Sequence, residues 1–417
     1  MIYPRKLKKH LLGNLDNELI LVITGMRRVG KTYLLQDIYN EIQSENKLIF
    51  DLERDADLLL FKENSYAGIE RNLQQRGLHL LKKAPGEVVD LKHRAYIFID
   101  EIQYYRKLTS ILKYLVDHFQ IKFIVTGSSS FYLKNYFSES LAGRKLVFNL
   151  HSLDFGEYLL FKGEQSLENK TELGELIQLH TEYISSHYED LFMQYLQSGG
   201  FPQVVLAKSR QDWHSILHEV IASYISIDVR TMTDIKKTDD FRKLISLLIP
   251  RVGQKLDISK LSRITGLARE TIARYLAFME DTFVIGLVRP YSKSPDREIS
   301  SVPKLYFSDH GLAGALGGLS DGQRLENYVY CQLKNFYQLN YYQRKSGPEI
   351  DFIVNKKTGV EVKSFGDESN LYKLSRLSHS IGLKNYFIVA QKQSNVPSEL
   401  ILPAYLLGFL EMSPIYI

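Results

Sequence analysis

Residues 25–32 read GMRRVGKT and satisfy the pattern G-x-x-x-x-G-K-[ST]. That spacing suits a phosphate cradle. Gly25 and Gly30 let the backbone wrap an anion, so that the N–H groups of the turn, through Arg28, Val29 and Gly30, point inward. Lys31 then reaches the β- and γ-phosphates of ATP, and the Thr32 hydroxyl ligates Mg2+. A second motif, YIFIDE at 96–101, is an apolar run ending in two carboxylates. At a strand's carboxyl end Asp100 would hold the same Mg2+ through water, and Glu101 is the expected general base for the attacking water. A third apolar run, KFIVTG, ends near Thr126 and Ser128, small polar groups able to sense the γ-phosphate; ordinary turn chemistry explains Ser and Gly there equally well. Arg144, in LAGRKLVFNL, is the candidate arginine finger, in cis or from a neighbouring copy, against the alternative of an exposed surface arginine.

A separate set of candidates lies near the carboxyl end. GPEIDFIV, a KKTG turn and GVEVKS place Asp351 on one strand and Glu361 and Lys363 on the next, with the last two on a shared face. Two carboxylates and a lysine make a Mg2+ site able to act on a phosphodiester, with Lys363 activating water or stabilising charge. Glu326, on the preceding helical run RLENYVYCQLKNFY, would complete the cluster. Glu349 is expected one register off the Asp351 face, in solvent. The alternative is ordinary ion pairing across a hairpin.

These side chains need particular elements behind them. From Leu19 to Leu150 the chain alternates LILVITG, KLIFDLE, YIFIDE, KFIVTGS and KLVFNL with helical patterns. Continuous apolar strands separated by helices imply a parallel sheet covered on both faces. Residues 151–235 are mainly helical. Residues 236–310 carry ISKLSRITGLARETIARYLAF, two helices about a turn at Gly266, then two strand-like runs suited to a wing. In that reading Arg269, Thr271 and Arg274 face a DNA groove and Lys260 and Arg263 meet phosphates, although Glu270, Glu280, Asp281 and Asp296 thin the basic stripe. Residues 311–417 read helix, three strands, helix, strand.

A chain of 417 residues with 44% hydrophobic and 24% charged residues fits two to four globular domains. No run approaches the roughly 20 apolar residues of a membrane span, and the amino terminus has no apolar signal region. The single cysteine, Cys331, excludes an internal disulfide and a multi-cysteine zinc site, and a cytoplasmic setting is expected. A net charge of +5 tolerates a nucleic-acid partner without demanding one.

GMRRVGKT, YIFIDEIQ, VTGSSS and LAGRK followed by LHSLDFGEYL resemble the prokaryotic AAA+-type ATPases that carry a C-terminal domain of unknown function, relatives of the STAND-like ATPases. The resemblance runs over nearly the whole chain, including SGGFPQVV at 198–205. It implies an α/β P-loop NTPase with an AAA+-type parallel sheet at 1–150, a helical lid at 151–235, a winged-helix module at 236–310 and an α/β domain at 311–417. It also implies a lid contact to the nucleotide through Gly200 and Pro202; on the residues alone, Gly-Gly-Phe-Pro is a helix-breaking turn. The last segment resembles the PD-(D/E)xK restriction-endonuclease-like fold, with Glu326, Asp351, Glu361 and Lys363 on its catalytic pattern. Its proline is displaced, in Pro348-Glu-Ile-Asp351. The expected function is ATP hydrolysis with Mg2+ coupled to a nucleic-acid transaction, DNA being the expected partner, with a metal-dependent nuclease site at the carboxyl end. The alternative is a nucleotide-dependent switch or scaffold for a protein partner, or for self-association through an arginine finger.

Overall fold

The computed structural model describes residues 3–83, 91–127, 141–167, 169–170, 175–176, 186–229, 238–344, 347–393 and 398–411. The chain forms two compact units. One comprises Arg5–His151 with Asp281–Phe283; the other comprises Met1–Pro4, Ser152–Glu280 and Val284–Ser413. From residue 152 onward the described chain belongs to this second unit, apart from Asp281–Phe283.

In the first unit, strands β1 (Ile20–Thr24), β2 (Lys47–Asp51), β3 (Ala95–Asp100), β4 (Ile121–Gly127) and β5 (Lys145–Asn149) form a parallel sheet in the order β2-β3-β4-β1-β5. The three inner strands are buried at every residue, while β2 and β5 are half-covered, as edges must be. Helices α1 (Lys31–Glu41) and α2 (Leu108–His118) are among those connecting the strands. Leu112 and Leu115 of α2 join Val22, Ile97, Ile99, Phe123 and Val125 in one core, each such side chain stabilising the fold by about 1.5–3 kcal/mol. Because β4 lies between β1 and β3, the tips of all three strands are adjacent: Ile23 pairs with Thr126, and Ile99 with Val125.

In the second unit, α3 (Ile258–Thr265) starts at Asp257, whose side chain caps the Lys260 N–H at 2.9 Å, and stops at Gly266; α4 (Arg269–Asp281) follows. Lys260, Arg263, Arg269 and Arg274 are exposed. The next strands, β6 (Ile285–Pro290) and β7 (Lys304–Phe307), pair antiparallel but are not a free wing. They form one edge of a seven-stranded sheet with β8 (Leu339–Gln343), β9 (Glu349–Val354), β10 (Thr358–Gly366), β11 (Asn385–Gln393) and β12 (Ile401–Pro403), ordered β12-β11-β10-β9-β8-β6-β7. The physical reason is burial. All four residues of β7 are buried, as are Ile285, Gly286 and Val288 of β6, where a solvated wing would alternate. Helix α5 (Asp321–Lys334), between β7 and β8, opens with a capping box between Ser320 and Gln323 and presses Tyr330 onto Gly286, where a Cβ would strike the phenol oxygen. Helix α6 (Glu368–Ile381) packs Leu374 and Leu377 against Ile350, Ile353 and Ile388. Among the described residues no helix is long and apolar enough to cross a membrane.

Candidate functional site

Strand β1 ends at Thr24, and residues 25–30 turn directly into α1. Gly25 has φ 149°, and a Cβ there would run into the Leu150 carbonyl of the neighbouring chain segment, so the turn admits no side chain at this point. Arg28 and Gly30 follow in left-handed conformations at φ 66° and 98°. Left-handed residues within such a turn aim successive N–H groups to one side and make an anion-binding concavity. The same turn supplies the amino terminus of an 11-residue helix, whose first amides and dipole add to the attraction. Lys31 is buried, and its ammonium donates to the Gly25 and Met26 carbonyls at 3.0 Å each. From behind, buried Arg5 donates to the Val29 carbonyl and to the His151 carbonyl, both at 2.7 Å. Arg5 was invisible as a candidate because it lies 24 residues upstream in an ordinary basic run, and only the fold brings it under the turn.

At the neighbouring strand tips the carboxylates are held by short-range polar contacts. The Thr126 hydroxyl donates to Asp100 Oδ1, and the Glu101 N–H lies 3.1 Å from Thr126 Oγ1 and 3.2 Å from Asp100 Oδ1. Glu101 turns the chain sharply, with φ 54° and ψ 50°, a left-handed conformation that costs a non-glycine residue about 1–2 kcal/mol. Gln103, in the helical turn that follows, donates its amide N–H to Glu101 Oε2. Sequence reading passed over Gln103, since nothing in its spacing distinguishes a carboxylate partner from a solvated glutamine. The donor set fits a magnesium nucleotide: a main-chain amide concavity, a lysine at its floor, a hydroxyl at the first helical turn and an aspartate two strands away.

The family model of the AAA domain matches residues 17–159, the stretch that contains β1 to β5 and both motifs. This unit has the AAA-type P-loop NTPase fold. A domain of unknown function, DUF8612, matches residues 189–323, a span that crosses the expected boundaries at 235 and 310. An uncharacterized protein of Haemophilus influenzae is 27% identical over 370 residues, 85% of this chain and 84% of its own length. Another, from Methanocaldococcus jannaschii, is 26% identical over 385 residues, 88% of this chain and 78% of its own. Among solved structures, a Walker-type ATPase of Pyrococcus abyssi covers 76% of this chain and 96% of its own, with 15% identity and a TM-score of 0.45.

Within the AAA domain Arg144 does not stand where a finger in cis requires. Its carbonyl accepts the Ile20 N–H at 2.8 Å, at the start of β1. Four residues at roughly 3.3 Å each separate that point from Thr24 and the cradle. Its guanidinium instead pairs with Asp117 at the end of α2, at 2.8 and 3.2 Å. Ser128 falls outside the described residues. Gly200 and Pro202 belong to the other unit. There the Gly200 N–H donates to Asp309 at 2.9 Å and its carbonyl accepts the Leu153 N–H at 2.7 Å, so packing in that unit already explains the glycine.

The carboxy-terminal candidates converge in part. Asp351 on β9 accepts the Val362 N–H of β10 at 2.9 Å, and Lys363 donates to Glu361 Oε1 at 2.7 Å. Glu326 on α5 accepts the Tyr306 hydroxyl at 2.7 Å. The unforeseen member is Lys304 of β7, whose ammonium lies 3.5 Å from Glu326, 3.6 Å from Asp351 and 3.8 Å from Glu349. Glu349 therefore shares the Asp351 face, as residues two apart on a strand must. Burial raises Glu326 and Glu361, with Asp351 as second cause, and each is pushed up to about 7. Burial also pulls Lys304 down, but Glu326, Asp351 and Glu349 outweigh it and hold the ammonium above its ordinary value. Among the described residues no group of three or more His, Cys, Asp or Glu side chains is arranged to hold a metal ion. Lys304 thus stands beside Glu326 and Asp351, two of the three carboxylates expected to hold a divalent ion, while Glu361 is met by Lys363.

Proposed function

We propose that the AAA domain binds ATP with Mg2+ and hydrolyses it. The reading is carried by the amide-lined turn with Lys31 at its floor, one strand removed from Thr126 and two from Asp100 and Glu101. Lys31 would exchange its two carbonyl acceptors for β- and γ-phosphate oxygens. Thr32 and Asp100 would hold Mg2+, which when bound neutralises charge on the transferring phosphoryl group. Thr126 keeps the Asp100 carboxylate oriented. Glu101, relieved of Gln103, would orient the attacking water and take its proton. Phosphate release from ATP tests this, with no turnover by a folded sample counting against it.

A second reading concerns what turnover drives. A DNA partner is supported by the exposed Lys260, Arg263, Arg269 and Arg274 on and beside α3 and α4. A nucleotide-dependent switch acting on a protein partner is supported by the C-terminal carboxylates, which already carry a lysine counter-ion rather than an open metal site. Retention on a DNA duplex that weakens with salt would favour the first. Nucleotide-dependent capture of a protein without DNA retention would favour the second.

A further inference from the structure

We infer that Lys304 is the resident cation of the carboxy-terminal carboxylate cluster: its ammonium holds the place among Glu326, Glu349 and Asp351 that a divalent ion would need, and keeps the cluster metal-free. This goes beyond the ATPase reading and concerns the other unit alone.

The Lys304 side chain is 4% exposed, so its charge cannot be solvated and must be met by the protein. Three carboxylates from two elements meet it at 3.5–3.8 Å: Glu326 from α5, and Glu349 and Asp351 from β9. The ammonium also lies 5.6 Å from the centre of the Tyr341 ring on β8.

Other donors also reach these acids, although Glu361 Oε2 is buried with no hydrogen-bond partner. Tyr306 donates to Glu326, the Val362 N–H to Asp351 and Lys363 to Glu361. Mg2+ demands near-octahedral oxygens at about 2.0–2.1 Å. Those oxygens would have to close on a point that the ammonium now occupies, and the two cations would repel. A tethered ammonium satisfies the same acids at longer range without closing them, and it cannot diffuse away. Its consequence is mechanical: Lys304 ties β7, α5 and β9 together, and the acidic side chains serve that tie rather than phosphodiester cleavage.

The test is a titration of the nucleotide-free full chain with Mn2+ alone, reading free Mn2+ by electron paramagnetic resonance. Asp100→Asn in every sample silences the AAA domain's own metal position. With Lys304 intact, any binding removed by Asp351→Asn should be weaker than about 1 mM. Lys304→Met should gain a site at least tenfold tighter, which adding Asp351→Asn abolishes. Lys304→Gln serves as the second variant if the methionine chain does not fold. Sub-millimolar Mn2+ binding with Lys304 present, lost on Asp351→Asn, would overturn the inference. So would a folded Lys304 variant that gains nothing.

Discussion

Thr126 donates its hydroxyl to Asp100 across the β3–β4 ladder, and the Glu101 amide approaches both acceptor oxygens. Two residues 26 positions apart in the chain thus form one polar unit at the sheet's carboxyl edge. Thr126→Val keeps the shape and removes the donor. Buried Asp100 Oδ1 then keeps only the Glu101 N–H, and losing the hydroxyl donor costs about 1 kcal/mol of stability. Turnover of ATP should fall while nucleotide affinity changes little. Equal loss of both would place Thr126 in nucleotide binding instead.

Lys31 and Glu101 should separate binding from chemistry. Lys31→Ala removes the cation at the floor of the turn and should weaken ATP at least about tenfold, near 1.4 kcal/mol. Glu101→Gln keeps the size and the left-handed turn, so calorimetric affinity should hold while phosphate release drops about a hundredfold or more. Matching losses of affinity in the two variants would contradict these roles.

Arg5 is a less visible support. It is 7% exposed and donates to Val29 and His151, bracing the outer side of the phosphate turn. Hydrogen bonds from a charged group contribute about 1.5–3 kcal/mol, so Arg5→Met should lower the thermal midpoint and loosen ATP binding together. A midpoint shift with unchanged affinity would limit Arg5 to a role in the fold.

The buried acids of the second unit predict a pH dependence. Burial, then Asp351, raises Glu326 and Glu361 from 4.5 to about 7 in the folded chain. Over that window the folded state binds protons that the unfolded chain has released. Their contribution to stability is therefore complete below the unfolded value and is lost as pH rises through 7. The denaturant midpoint should fall between about pH 5 and pH 8, and Glu326→Gln should flatten that fall. Parallel slopes for both proteins would remove Glu326 from the account.

The sequence alone determined the AAA domain's phosphate turn and inner strands, because their determinants are local. A phosphate turn needs glycines at fixed spacing, a lysine and a hydroxyl in one continuous stretch, and GMRRVGKT contains them all. The inner strands are covered on both faces, so LILVIT, YIFID and KFIVTG show unbroken apolar runs that reveal both strand and burial. The tertiary structure decided everything that depends on which distant segments meet. Arg144 follows β4 in sequence, yet it precedes β5 at the end remote from the cradle. The strands expected as a wing carry no mark of their partners, and β8 and α5 recruit them into a larger sheet. Asp351, Glu361 and Lys363 have the spacing of a metal site, and Lys363 answers Glu361, but the charge that answers Asp351 comes from Lys304, 47 residues before it. Spacing within one segment reports which groups can share a face. It cannot report a counter-ion delivered from another strand.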